Sequence, residues 1–81
     1  MDKEEIYQKL KRVPVNIRFE EICNMAVSFG FRLGRSKGSH RVFVKIGIRE
    51  LLNFQNVHGM AKPYQVKQFV KIIEKYNLVK E

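Results

Sequence analysis

The chain has 81 residues and a formal charge of +8, from sixteen Lys/Arg against eight Asp/Glu. That length holds one domain with one small core, and so large a basic excess points to a polyanionic partner, nucleic acid before an anionic membrane, with a merely solvated basic surface as the plain alternative. No stretch approaches the ~20 apolar residues that span a bilayer, the start Met1-Asp2-Lys3-Glu4-Glu5 has no signal-peptide core, and one cysteine with two histidines makes neither an intrachain disulfide nor an expected zinc site; this fits a cytosolic protein.

Residues 3–12 read as a helix, with Ile6, Tyr7, Leu10 and Val13 at spacings of three or four. Val13-Pro14-Val15 ends it, because proline lacks an N–H and disfavours helix in the residue before it. Residues 1–16 carry three acids and four bases, a net of +1, so +7 of the charge lies downstream. The first helix therefore reads as an appendage, residues 1–14, that packs on the domain of residues 15–81 or on a partner.

Asn16 is the expected N-cap of the next helix, with Glu20 and Glu21 in its first turns, where the helix dipole favours anions. Phe19, Ile22, Cys23, Ala26 and Val27 form its apolar stripe, and Gly30 its terminator. Cys23 on that stripe reads as a buried small hydrophobe. Phe31–Arg35 is a predicted strand and Ser36–Ser39 a turn. His40–Ile46 is the clearest strand, β-branched and aromatic. Gly47 interrupts, Leu51–Gln55 is a third strand, and Asn56–Lys62 is a loop holding His58 and Gly59. Lys62-Pro63 opens the last helix, with proline at its favoured first position. Val66, Phe69, Val70, Ile72, Ile73 and Tyr76 make its buried face, and Asn77 terminates it.

The order predicts a two-layer α+β domain, two helices covering one face of a three-stranded antiparallel meander. Its core would hold Phe19, Ile22, Val27, Phe43, Val66, Phe69 and Ile73. His40 shares strand parity with Val42, Val44 and Ile46. An all-apolar row is the natural core side, so His40 is expected at the edge of the core beneath the helices, with Arg41, Phe43 and Lys45 on the other face.

Lys37-Gly38-Ser39-His40 is where chemistry concentrates. Between Arg32 and Lys45 stand five Lys/Arg and no acid. Imidazole, with an ordinary pKa of ~6.5, gives or takes a proton near neutral pH. Beside a phosphodiester it can act as general base or acid on a 2′-hydroxyl, with no metal or cofactor, provided cations stabilise the phosphate charge. Arg35, Lys37 and Arg41 are the candidate cations. Gly38 lets its backbone approach a phosphate, and Ser39 either donates to phosphate or stabilises the turn. Lys62, Tyr64 and Lys67 cluster at the start of the last helix, where an N-terminus attracts phosphate and a tyrosine can stack on a base. The competing reading is an ordinary hairpin whose second strand begins with a histidine.

Several segments together resemble a known family. Asn16-Ile17-Arg18-Phe19-Glu20-Glu21, Phe29-Gly30-Phe31, Arg35-Ser36-Lys37-Gly38-Ser39-His40 and Ala61-Lys62-Pro63-Tyr64-Gln65-Val66 are similar to the HicA toxins of type II toxin–antitoxin systems. The similarity runs from about residue 15 to residue 78. It implies a fold like the double-stranded-RNA-binding domain, a small ribonuclease that cleaves mRNA, the catalytic histidine at His40, and a HicB antitoxin as partner. Two features depart from the family pattern. Residues 1–13 extend the usual start, and Met60-Ala61-Lys62-Pro63 separates His58-Gly59 from the last helix. A non-catalytic RNA-binding module, or a degenerate toxin of the same fold, is the alternative.

Overall fold

The computed structural model describes residues 1–81. Asp2 starts the first helix, α1 (Lys3–Arg12), through a capping box: its carboxylate accepts from the Glu5 N–H while the Glu5 carboxylate accepts from the Asp2 N–H. α1 turns Ile6 and Leu10 inward, and both join the single core cluster. Four polar contacts dock it: the Tyr7 hydroxyl donates to Glu74 at 2.6 Å, Lys11 pairs with the same carboxylate at 3.5 Å, Lys9 pairs with Glu21 at 2.6 Å, and Lys3 donates to the Glu81 carbonyl at 2.7 Å. The appendage thus packs on its own domain.

The remaining elements are α2 (Phe19–Ser28), β1 (Arg32–Lys37), β2 (His40–Val44), β3 (Leu52–Val57), β4 (Met60–Ala61) and α3 (Pro63–Lys75), followed by a 3₁₀ turn at Leu78–Lys80. The four strands form one antiparallel sheet in the order β1-β2-β3-β4. The fold is α+β, three helices against a four-stranded sheet.

The fourth strand replaces the expected loop at Asn56–Lys62. His58 and Gly59 take φ values of +54° and +84°, the pair of left-handed residues a type I′ hairpin requires. Asn56 Oδ1 closes the turn by accepting from the Gly59 N–H at 2.6 Å. The far edge of β4 is occupied as well. The Ala61 N–H donates to the Ile17 carbonyl at 2.8 Å, and the Phe19 N–H to the Gly59 carbonyl at 2.9 Å. This pairing keeps residues 17–18 extended, so α2 is capped at Arg18 and not at Asn16, which sits in a left-handed turn at φ +60°.

Phe19, Ile22, Phe43, Val66, Phe69 and Ile73 are buried as expected, whereas Val27 is 57% exposed. The buried side of α2 is centred on Ile22, Cys23 and Ala26 with Met25 beside them, which turns Val27 outward. The Cys23 thiol is buried, and that burial raises its pKa. Phe69 is the hub, with ring centroids 5.6 Å from Phe29, 6.0 Å from Phe31 and 5.9 Å from Phe54.

The second strand ends at Val44, and Ile46 is 94% exposed in the loop that follows. That loop is tied to α3 by Glu50, which accepts from Lys75 at 2.6 Å and from the Tyr76 hydroxyl. The lysine first and the hydroxyl second hold the Glu50 carboxyl down at about 2. A carboxylate with a lowered pKa contributes stability that is present above its ordinary pKa and lost as pH falls through the lowered one. Glu50→Gln is therefore expected to flatten the acid limb of a stability–pH curve between 4.5 and about 2. An unaltered limb would mean the loop–helix clamp adds nothing to stability.

Candidate functional site on the open face of the sheet

The helices cover the face that carries Arg41, Phe43, Leu52 and Phe54, not the face of His40. Phe43 and Phe54 are buried, while Val42 and Val44 are only half-buried. The expected assignment of faces is thereby reversed. Two phenylalanines and a leucine prevail over two valines for the core, since larger apolar side chains remove more area from water. His40 lies exposed on the open face.

A β-bulge decides which cations join it. Leu33 pairs with Phe43 but Arg35 pairs with Val42, so Gly34 is an extra residue in β1. Side chains alternate along a regular strand, which would send Arg32 and Arg35 to opposite faces. The inserted residue resets the alternation. Arg32 opposite Val44, Arg35 opposite Val42 and Lys37 opposite His40 all stand on the open side.

The turn between β1 and β2 is two residues long. Gly38 takes φ +58° and Ser39 does not share the positive φ, the arrangement of a type II′ hairpin, which favours glycine first. The Ser39 carbonyl accepts from the Asn56 N–H at 2.8 Å. That bond fixes the turn to β3 and sets the His58–Gly59 turn beside it, at the same end of the sheet.

Arg35, Lys37, Gly38, Ser39 and His40 line one concavity with Val42 and Asn53. No acid lines it. The five ion pairs of the chain engage Lys9, Lys11, Arg41, Lys45 and Lys75, which leaves Arg35 and Lys37 without carboxylate partners. Such a site brings an imidazole and two unpaired cations to one open hollow. By contrast, the groove between α1 and residues 13–17 mixes Glu4 and Glu5 with Lys9 and Arg12 and is poorly suited to a polyanion.

The other candidates lie elsewhere. Arg41 is on the helix-covered face, bidentate to Glu20 at 3.0 and 3.2 Å and stacked over Phe19 at 4.9 Å. The Glu20 carboxylate raises its pKa. It is not among the cations around His40. Lys62, Tyr64 and Lys67 sit on or beside the start of α3, past the opposite edge of the sheet, with Lys62 5.9 Å from the Tyr64 ring centroid. None of the three lines the concavity. His58 is an exposed turn residue outside it. No group of three or more His, Cys, Asp or Glu side chains is placed to hold a metal ion.

Three residues escaped the sequence reading. Arg32 and Asn53 reach the face only through bulge and register; the one local signal was a glycine inside a predicted strand. Gln65 is the third. It is buried, and its Oε1 accepts from the Gln55 N–H at 2.8 Å. The chain has already turned into α3 there, and the Lys62 carbonyl accepts from Gln65 and Val66 instead of from a strand. Gln65 thus completes β3 at the residue that pairs with His40. Replacing it with leucine leaves a part-buried N–H unsatisfied, an expected cost of about 1 kcal/mol, at the low end of the range for a buried donor. Faster hydrogen exchange at the Gln55 amide is the local readout. Unchanged exchange and melting would show that water substitutes for the side chain.

No helix is long and apolar enough to cross a membrane. No protein-family model, curated protein or solved structure matches the chain.

Proposed function

We propose that this protein is a small endoribonuclease of the HicA toxin type, with His40 as its proton-transfer group, a fold like the double-stranded-RNA-binding domain, and a HicB-type antitoxin as its inhibitor. One observation carries the reading: His40 stands with Arg35 and Lys37 in a single acid-free hollow on an exposed sheet face. Attack of a 2′-hydroxyl on its own phosphodiester forms the O2′–P bond and breaks the P–O5′ bond. The attacking hydroxyl loses a proton and the leaving 5′-oxygen gains one. The imidazole can serve either transfer, while the two cations hold the charge on the phosphoryl oxygens. The products are a 2′,3′-cyclic phosphate and a 5′-hydroxyl, and neither metal nor cofactor enters. On this reading mRNA is the substrate and the cytoplasm the compartment. A non-catalytic RNA-binding module would use the same cations but has no need of a titrating ring between them.

The test is incubation of the purified chain with end-labelled RNA in chelator. Fragments ending in 2′,3′-cyclic phosphate are expected. RNA that is bound but stays whole would favour the binding module.

RNA affinity is expected to fall steeply with salt. Three neutralised phosphates on a single strand give a log–log slope of about −2, and Arg35→Glu with Lys37→Glu should remove most of it. The same pair should slow association of an acidic antitoxin. Salt-independent RNA binding would exclude a mainly phosphate-driven contact.

A further inference from the structure

The hollow that holds His40 does not end at Arg35. Arg35 and Val42 also wall a second groove, completed by Arg32, Gly34, Val44 and Leu51. We propose that this groove is a track for a single-stranded segment of RNA next to the nucleotide at His40. Its backbone lies along Arg32 and Arg35, and its bases rest on Val42, Val44 and Leu51. The identity of the polymer rests on the reading above; the groove itself does not.

Charge and apolar surface are laid out side by side. Arg32, Arg35 and Lys37 mark one edge of the open face over roughly 13 Å, the four β2 steps from Val44 to His40 that they oppose at ~3.3 Å each. None of them is in an ion pair, and no acid lines either groove. Next to this row lies an apolar floor, with Val42 and Val44 half-buried and Leu51 56% exposed. Gly34, in the wall of the groove, adds no side chain over Val42 and Val44.

A duplex meets a protein through phosphates, 2′-hydroxyls and groove edges, and its base faces are stacked away. Apolar floor beside a cationic row suits unstacked bases with their backbone, the pattern of sequence-tolerant single-strand binding. No Phe, Tyr or Trp lines either groove, so bases are held by aliphatic contact and guanidinium planes, which accept every base.

The experiment uses isotope-labelled full chain carrying His40→Ala, so that RNA stays uncut whatever the wild type does. It is titrated with a short unstructured RNA and with a duplex of equal length. The expected result is that the largest amide shifts fall on Gly34, Val42, Val44 and Leu51, and that the single strand binds about tenfold or more tighter than the duplex. Adding Arg32→Ala and Leu51→Asp should lower single-strand affinity by a similar factor with the melting temperature held. Shifts confined to the Gly38–Ser39 turn and the start of α3, with the duplex bound equally well, would overturn the proposal. So would RNA binding that leaves this face silent, which would assign it to a protein partner. Cleavage is not read here, so a wild type without nuclease activity refutes His40 catalysis and leaves the groove to be judged by its shifts.

Discussion

His40→Ala is expected to slow RNA cleavage by about 10²–10⁴-fold, the usual loss when a proton-transfer group is removed, while the protein folds and binds RNA as before. The fold is spared because His40 is exposed at the first position of β2 and its side chain is absent from the core. Its backbone pairing with Lys37 and Gln55 does not depend on the ring. Affinity is expected to be spared because the proposed phosphate contacts are those of Arg32, Arg35 and Lys37, and contacts to the backbone position the polymer whatever the catalyst. Single-turnover cleavage, RNA binding and thermal melting are measured on the same preparation. A variant that cleaves at the wild-type rate removes His40 from the mechanism. One that fails to fold makes His40 a structural residue and restores the ordinary-hairpin reading.

Phe69→Ala is expected to cost about 3–5 kcal/mol, the range for deleting a buried phenyl ring. Small domains have only ~5–15 kcal/mol in total. In a chain of this size such a loss lowers Tm by roughly 15 °C or more. The large effect comes from position. The Phe69 ring meets Phe29 at the end of α2, Phe31 just before β1 and Phe54 on β3, two of them edge-on at 80° and 85°. Removing it therefore leaves a void where helix layer and sheet meet. Val27→Ala is the matched control, since an outward-facing valine should change stability by no more than ~0.5 kcal/mol. Comparable losses from the two variants would restore Val27 to the core and refute this packing.

The helices were legible because their signals are local. Asp2 and Glu5 sit three apart, Pro63 stands at a first helical position, and Gly30 and Asn77 take the left-handed φ that ends a helix. Each of these is decided within one turn of chain. A turn at Gly38-Ser39 was legible for the same reason, and with it the neighbourhood of Arg35, Lys37 and His40. Ser36 and Lys37, expected in the turn, instead extend β1 because they pair with Arg41 and His40.

Faces of the sheet were decided elsewhere. His40, Val42 and Val44 made the more apolar row within their own strand, yet Phe43 went inward because Leu52, Phe54 and Phe69 were there to receive it. A strand's side is settled by which of its two rows finds the better partners in distant segments. Arg41 stands apart from His40 by alternation along β2, and Glu20, twenty-one residues away in sequence, holds it on the covered face. β4 exists because Ile17 and Phe19 hold its outer edge. The bulge at Gly34 brought Arg32 to the open face, and it is defined only by register against β2. The sequence by itself determined the helices, the cationic turn and its histidine. Tertiary pairing alone decided which side of the sheet that histidine occupies and which cations share it, because alternation is local while the choice of face is not.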